Sequence, residues 1–141
     1  MPSPIFVDTG YVIALINERD QYHLQAIELA RRFAGQPLVT TDTVLLEIGN
    51  ALARSFKPAA AAVIEQFLTA DDVTIVYLTP QLFSKGFALY KQYQDKTWSL
   101  VDCISIVVMR EANISRVLSF PPSGTFQDRH FTQAGFTILA S

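Results

Sequence analysis

Five short apolar runs recur along the chain, separated by longer stretches with helical spacing. Residues 5–7 (Ile-Phe-Val) form the first run and read as a buried strand. Thr9 is placed to cap a short helix beginning near Tyr11, and Asp20 a second helix that carries Leu24 and Ile27 and ends near Gly35. Residues 37–40 form the next strand. Residues 42–56 read as a helix capped by Thr41 or Asp42 and broken at Lys57-Pro58, with a further helix over 59–68. The β-branched and aromatic run 73–78 (Val-Thr-Ile-Val-Tyr-Leu) is a strand, and Pro80 opens a helix reaching about Gln94. Ser99 opens another, Leu-Val-Asp-Cys-Ile-Ser-Ile-Val-Val-Met-Arg-Glu-Ala. Residues 116–119 and 137–139 supply the last two strands, the second following a break at Gly135.

Short apolar strands that alternate with helices predict a mostly parallel sheet covered on both faces. Ligands of such sheets gather beyond the carboxyl ends of the strands, and Asp8 stands at the end of the first.

Composition narrows the picture. The chain has 141 residues, one domain's worth, and we read 1–141 as a single domain. Half of its residues are hydrophobic and 17% charged, too apolar for a disordered chain. Eleven basic against thirteen acidic residues give a net charge of −2, which excludes a binder relying on a strongly basic surface. It does not exclude nucleic acid as a substrate, since a bound cation can neutralise phosphate. A single cysteine, Cys103, leaves no intrachain disulfide and no cysteine-based metal cage. Asp8 interrupts the apolar start, no basic residue precedes it, and no run reaches the ~18 apolar residues of a membrane span. We therefore expect a soluble, cytoplasmic protein that does not engage membranes.

Three acids stand among apolar residues. Asp8 follows Ile-Phe-Val, Glu47 lies within Val-Leu-Leu-Glu-Ile-Gly, and Asp102 within Ser-Leu-Val-Asp-Cys-Ile. Carboxylates are rarely buried without compensation. At about 100° per residue, Val44, Leu45, Ile48, Ala51 and Leu52 share one arc, Glu47 falls at its edge and Leu46 nearly opposite. Glu47 can thus face a cleft, and Leu46 suggests contact with a further helix or another subunit. Asp102 sits in a first turn behind Ser99, where a carboxylate also suits the helix end. Helix capping is the structural alternative for Asp102 and for Asp8, but not for Glu47. Clustered carboxylates repel one another unless a cation sits among them. Oxygen donors select hard ions, Mg²⁺ or Mn²⁺, and such a site suits attack on a phosphodiester.

Other motifs carry less. Asp8-Thr9-Gly10 also matches the aspartic-protease triplet, but that fold is all-β and this chain is rich in helical stretches. A phosphatase aspartate would want a second acid where Gly10 stands, and neither common phosphate-binding glycine loop is present. His23 and His130 form no zinc pair, and His130 reads as packing or capping locally. Cys103, Trp98 and the phenylalanines read as core.

Taken together, Phe-Val-Asp-Thr-Gly-Tyr-Val-Ile-Ala-Leu, Thr-Thr-Asp-Thr-Val-Leu-Leu-Glu-Ile-Gly-Asn-Ala-Leu, Trp-Ser-Leu-Val-Asp-Cys-Ile-Ser-Ile-Val-Val-Met and Asp-Arg-His-Phe-Thr-Gln-Ala-Gly-Phe follow one another in an order that resembles the PIN-domain ribonucleases. Among these the chain looks like the VapC toxins of toxin–antitoxin pairs, and the resemblance runs nearly end to end. It implies an α/β, three-layer fold with a five-stranded, mostly parallel sheet flanked by helices. It implies an acidic pocket that holds Mg²⁺ or Mn²⁺ and cleaves RNA, with Asp8, Glu47 and Asp102 as core acids and metal ligands. Asp128 would be the fourth acid, and Thr9 and Ser99 the hydroxyls supporting the first and third. A homodimer and a cognate antitoxin that blocks the pocket are implied as well. In the family the fourth strand runs almost directly into Asp-Arg-His-Phe, whereas residues 121–127 (Pro-Pro-Ser-Gly-Thr-Phe-Gln) intervene here. Phe131 and Phe136 look like anchors that return the chain to the core beyond this insertion.

The expectation is a metal-dependent endoribonuclease, with Arg19, Arg54 or Lys96 as candidates to hold the RNA backbone. Its rivals are a PIN-like binding module without activity and a nuclease acting on DNA.

Overall fold

The computed structural model describes residues 3–121 and 130–140. Asp128 and most of the insertion before it lie outside the described residues. The elements run β1 (Ile5–Val7), α1 (Thr9–Ile16), α2 (His23–Arg32), β2 (Leu38–Thr41), α3 (Asp42–Ala51), α4 (Lys57–Thr69), β3 (Val73–Val76), α5 (Pro80–Gln92), α6 (Leu100–Glu111), β4 (Arg116–Leu118), α7 (His130–Gln133) and β5 (Thr137–Ile138). Every strand pairing is parallel, and the five strands lie in the order β3-β2-β1-β4-β5.

β1 is the central strand. Ile5, Phe6 and Val7 are wholly buried, as an unbroken apolar run in a two-sided sheet must be. From β1 the chain steps outward to β2 and β3, then returns through α5 and α6 to place β4 on the other side of β1. The direction of strand addition therefore reverses between β1 and β4, and beyond their carboxyl ends lies the switch point at which open α/β sheets bind ligands.

Local chemistry explains most boundaries. The Thr41 hydroxyl accepts the Val44 N–H at 3.1 Å and caps α3, and Thr79 caps α5 by accepting the Leu82 N–H at 3.1 Å. Gly35 ends the chain's path out of α2 with φ +82°, a conformation glycine adopts without steric cost. Lys57-Pro58, expected as a break, opens α4, and β3 ends at Val76. At three other places where the structure departs from the sequence expectation, the cause is local. α3 stops at Ala51, several residues before Lys57-Pro58, because Leu52–Phe56 closes in turns. Asp20 does not cap α2 itself; its carboxylate accepts the Tyr22 N–H at 2.8 Å, one step upstream of the helix. Thr9 is the first residue of α1 rather than its cap, since Asp8 already holds the extended cap backbone.

The carboxyl-terminal anchor is as expected. Phe131 is fully buried against Phe6 and Phe136, with ring centroids 6.4 Å apart in both pairs. Cys103 and Trp98 are buried too. Phe83, Phe87 and Tyr90, by contrast, lie exposed along α5 and are not core. Among the described residues no helix is long and apolar enough to cross a membrane.

Candidate active site

Asp8 leaves β1 directly into the crevice at this switch point. It is 6% exposed and occupies the N-cap position of α1, yet its side chain makes no capping hydrogen bond. The Ser119 hydroxyl, one residue past β4, donates to Asp8 Oδ2 at 3.0 Å instead. Capping therefore does not account for Asp8; its carboxylate is turned across the switch point. Gly10 makes this approach possible. A Cβ there would stand 2.2 Å from the Phe120 carbonyl oxygen, so only glycine lets α1 start so close to the end of β4.

Glu47 projects from α3, half-buried, as its place at the edge of the apolar arc requires. The Thr9 hydroxyl donates to Glu47 Oε1 at 2.6 Å. This corrects the expected assignment: Thr9 supports the second acid through its side chain, and the hydroxyl on Asp8 is that of Ser119. The reason is geometric. As the first residue of α1, Thr9 points across to α3, while Asp8 points along the strand ends toward β4.

Asp102 and Ser99 form a capping box. The Ser99 hydroxyl accepts the Asp102 N–H at 3.0 Å, and Asp102 Oδ2 accepts the Ser99 N–H at 2.9 Å. One carboxylate oxygen is thus committed to α6. The other, Oδ1, lies 3.2 Å from His130 Nε2. Asp102 serves both readings, capping its helix with one oxygen and facing the acidic crevice with the other. α6 is held in this position by its packing on α5, where a Cβ on Gly86 would meet Ile104 Cγ1 at 2.6 Å.

The electrostatics tie these groups together. Burial, and then the Asp102 charge, push the Asp8 carboxyl from 3.8 up to about 7, against the lowering influence of His130, the Thr9 amide and Ser119. Glu47 is also raised, first by burial and then by Asp102, while Thr9 and His130 pull it down. Burial followed by Asp102 lifts the Cys103 thiol to about 11, which leaves it inert. Among the described residues, the positive influence on both Asp8 and Glu47 comes from His130.

Two residues of this cluster were not singled out by sequence reasoning. Ser119 had a usable signal: it is the first polar residue after β4, the strand that topology sets beside β1. His130 was read as packing or capping locally. It does pack, with its ring 4.1 Å from that of Phe131, but its nitrogen also reaches Asp102. His23, on the other hand, is engaged locally, with Nδ1 2.8 Å from the Ala14 carbonyl oxygen.

Among the described residues no three acid, His or Cys side chains already form a ready cation cage. The fit of a cation rests on the donor set instead. Carboxylate oxygens of opposing elements face one crevice, and burial together with the Asp102 charge makes the ionised form of the most buried of them, Asp8, costly unless a cation joins it. Hard divalent ions suit such donors, with water completing the shell.

A parallel sheet with acids gathered at the switch between its central strands defines an α/β protein of the three-layer, PIN-like kind. The chain belongs to the PIN-domain family, whose model matches residues 5–120. It is similar to the 23S rRNA-specific endonuclease VapC20 of Mycobacterium tuberculosis, in strains CDC 1551 and H37Rv alike. Identity is 29% over 134 residues, covering 94% of this chain and 95% of the relative. The crystal structure of Mycobacterium tuberculosis VapC20, described as a sarcin–ricin loop cleaving toxin, superposes with a TM-score of 0.83 at 26% identity. That match covers 97% of this chain and 99% of the other.

Proposed function

We propose that the protein is a metal-dependent endoribonuclease acting in the cytoplasm as the toxin of a toxin–antitoxin pair, within a single domain. The observation that carries this reading is the gathering of Asp8, Glu47 and Asp102 around the β1–β4 crevice, with one oxygen of each held by a hydroxyl or backbone donor. The end-to-end similarity to an rRNA endonuclease supports the substrate class.

Asp8, Glu47 and Asp102 would hold Mg²⁺ or Mn²⁺. When bound, the ion supplies Lewis acidity toward the phosphodiester and neutralises charge on the leaving oxygen. Ser119 and Thr9 orient Asp8 and Glu47 toward the crevice by donating to one oxygen of each. Ser99 fixes Asp102 through the capping box. Asp128 takes a secondary part, holding water or a second, weaker ion. A cognate antitoxin would block this pocket. Leu46, 65% exposed on the side of α3 opposite its apolar arc, is the residue we assign to self-association as a homodimer.

The test is direct. Purified protein should cleave RNA with Mg²⁺ or Mn²⁺ and stop when a chelator is added, while DNA of the same sequence survives. Cleavage that continues unchanged in excess chelator would refute the metal mechanism, and equal cleavage of DNA would refute the ribonuclease assignment.

A further inference from the structure

The exposed aromatic residues of α5 are unexplained by packing. Phe83, Phe87 and Tyr90 follow one another along its outer face, with ring centroids 6.3 and 6.5 Å apart. Rings at this helical spacing would ordinarily be core, yet each is more than 40% exposed. At the end of α5, Phe87 and Tyr90 border a groove of about 520 Å³, within the usual range for a small-ligand site.

The lining of this groove is specific. Phe87 and Tyr90 line one side, and Tyr93 packs on Trp98 with ring centroids 4.9 Å apart and planes tilted by 40° on the other. The latter side is anchored, because Trp98 Nε1 donates to Gln133 Oε1 at 2.9 Å and so ties the loop to α7. Two cations stand among the rings. Lys91 Nζ lies 4.9 Å from the centre of the Phe87 ring, and Lys96, beside Asp95, is only 33% exposed. At its far end the groove reaches Ser99, whose backbone and hydroxyl grip Asp102.

We propose that this groove is a substrate subsite that stacks an unpaired nucleotide of the RNA next to the scissile phosphate. The inference rests on the ribonuclease reading above and extends it to how the substrate is held. Aromatic faces accept any base by stacking, and interleaved lysines follow the phosphates. The lysines interleaved with these rings favour single-stranded nucleic acid over a second copy of the chain, since the nucleic acid brings them phosphates as well as flat bases. A paired duplex has no free base face to offer, so the groove selects loops and single strands. In a chain of net charge −2, two lysines placed among rings at the edge of an acidic crevice also attract the substrate backbone where the acids alone would repel it.

The test compares the protein with F87A, Y90A and the ring-retaining Y90F, using a stem–loop RNA, the fully paired form of its stem, and a short single-stranded RNA carrying 5-iodouridine. F87A and Y90A are expected to raise KM for the stem–loop roughly tenfold, the value of one lost stacking contact, with kcat unchanged and Y90F near wild type. Irradiation in the presence of chelator should crosslink the iodouridine to Tyr90 or Tyr93, and the paired stem should bind more weakly than the loop. Unchanged KM in both alanine variants, or crosslinks confined to other parts of the surface, would overturn the proposal. So would conversion of a dimer to a monomer in F87A or Y90A with KM intact, which would make the groove a contact between copies. Crosslinking and binding do not require cleavage. A wild-type protein that crosslinks through the groove but cuts no RNA would therefore refute the nuclease reading while leaving the binding site standing.

Discussion

Ser119 and Asp8, 111 residues apart in the chain, join hydroxyl to carboxylate at 3.0 Å across the point where the strand order reverses. This bond holds the central acid of the crevice in the direction that its own helix would not choose, since Asp8 occupies a cap position without capping. It also favours the ionised form of this buried carboxylate, against the cost of its burial.

Removing that hydroxyl should therefore act on the site rather than on the fold. A hydrogen bond to a charged group is worth roughly 1.5–3 kcal/mol. Ser119→Ala is expected to lower ion affinity or kcat/KM by about ten- to a hundredfold, with Ser119→Thr closer to wild type. Ion titration followed by steady-state cleavage would check this; full activity in Ser119→Ala would remove Ser119 from the machinery.

The pH behaviour of the metal-free protein follows from Asp8. Its carboxyl is raised in the folded state, so folding favours the protonated form between its ordinary value of 3.8 and about 7. The folded state gains most below 3.8, and this advantage is lost as pH rises through about 7. Asp8→Asn should accordingly raise the melting temperature in chelator at pH 8 and have little effect near pH 4. Ion binding below pH 7 should release a proton, measurable by calorimetry in buffers of different ionisation enthalpy. Zero proton release from pH 5 to 7 would contradict the raised carboxyl.

Thr9 provides a separate handle on Glu47. Thr9→Val keeps the β-branched shape and deletes the donor to Glu47 Oε1, so cleavage should fall by about tenfold while the urea midpoint moves little. Thr9→Ser should restore most of the rate. A Thr9→Val enzyme with unaltered kcat would show that Glu47 needs no such restraint.

Gly10 is the position where a small change should damage the fold. An added Cβ meets backbone, the Phe120 carbonyl oxygen, at 2.2 Å, and backbone cannot rotate aside. Gly10→Ala is expected to cost about 1–3 kcal/mol in urea unfolding and to weaken ion binding by separating Asp8 from Ser119. Wild-type stability would mean that α1 can shift freely at its start.

Leu46 tests the oligomeric state. Sedimentation at micromolar concentration should show a dimer, and Leu46→Glu should shift it to monomer without changing the far-ultraviolet circular dichroism. A wild-type protein that sediments only as a monomer would return Leu46 to an ordinary exposed residue.

The sequence alone determined the elements, because their causes are local. The apolar run of β1, the caps at Thr41, Thr79 and Ser99, and the helical arc that leaves Glu47 at its edge all depend on residues within a turn or two. The identity of the three acids was legible for the same reason, since each interrupts an apolar stretch. Partnership was not legible. Which hydroxyl serves which acid depends on the order β3-β2-β1-β4-β5, which brings Ser119 to Asp8 and directs Thr9 to Glu47. His130 reaches Asp102 only because Phe131 docks against Phe6 and carries α7 with it. Exposure was equally hidden: Phe83, Phe87 and Tyr90 have the spacing of a core stripe, and only the docking of α5 on α6 through Gly86 decides that those rings face outward. Periodicity records that a helix has an apolar face, but burial is a property of what covers that face, and that is settled by contacts far apart in the chain.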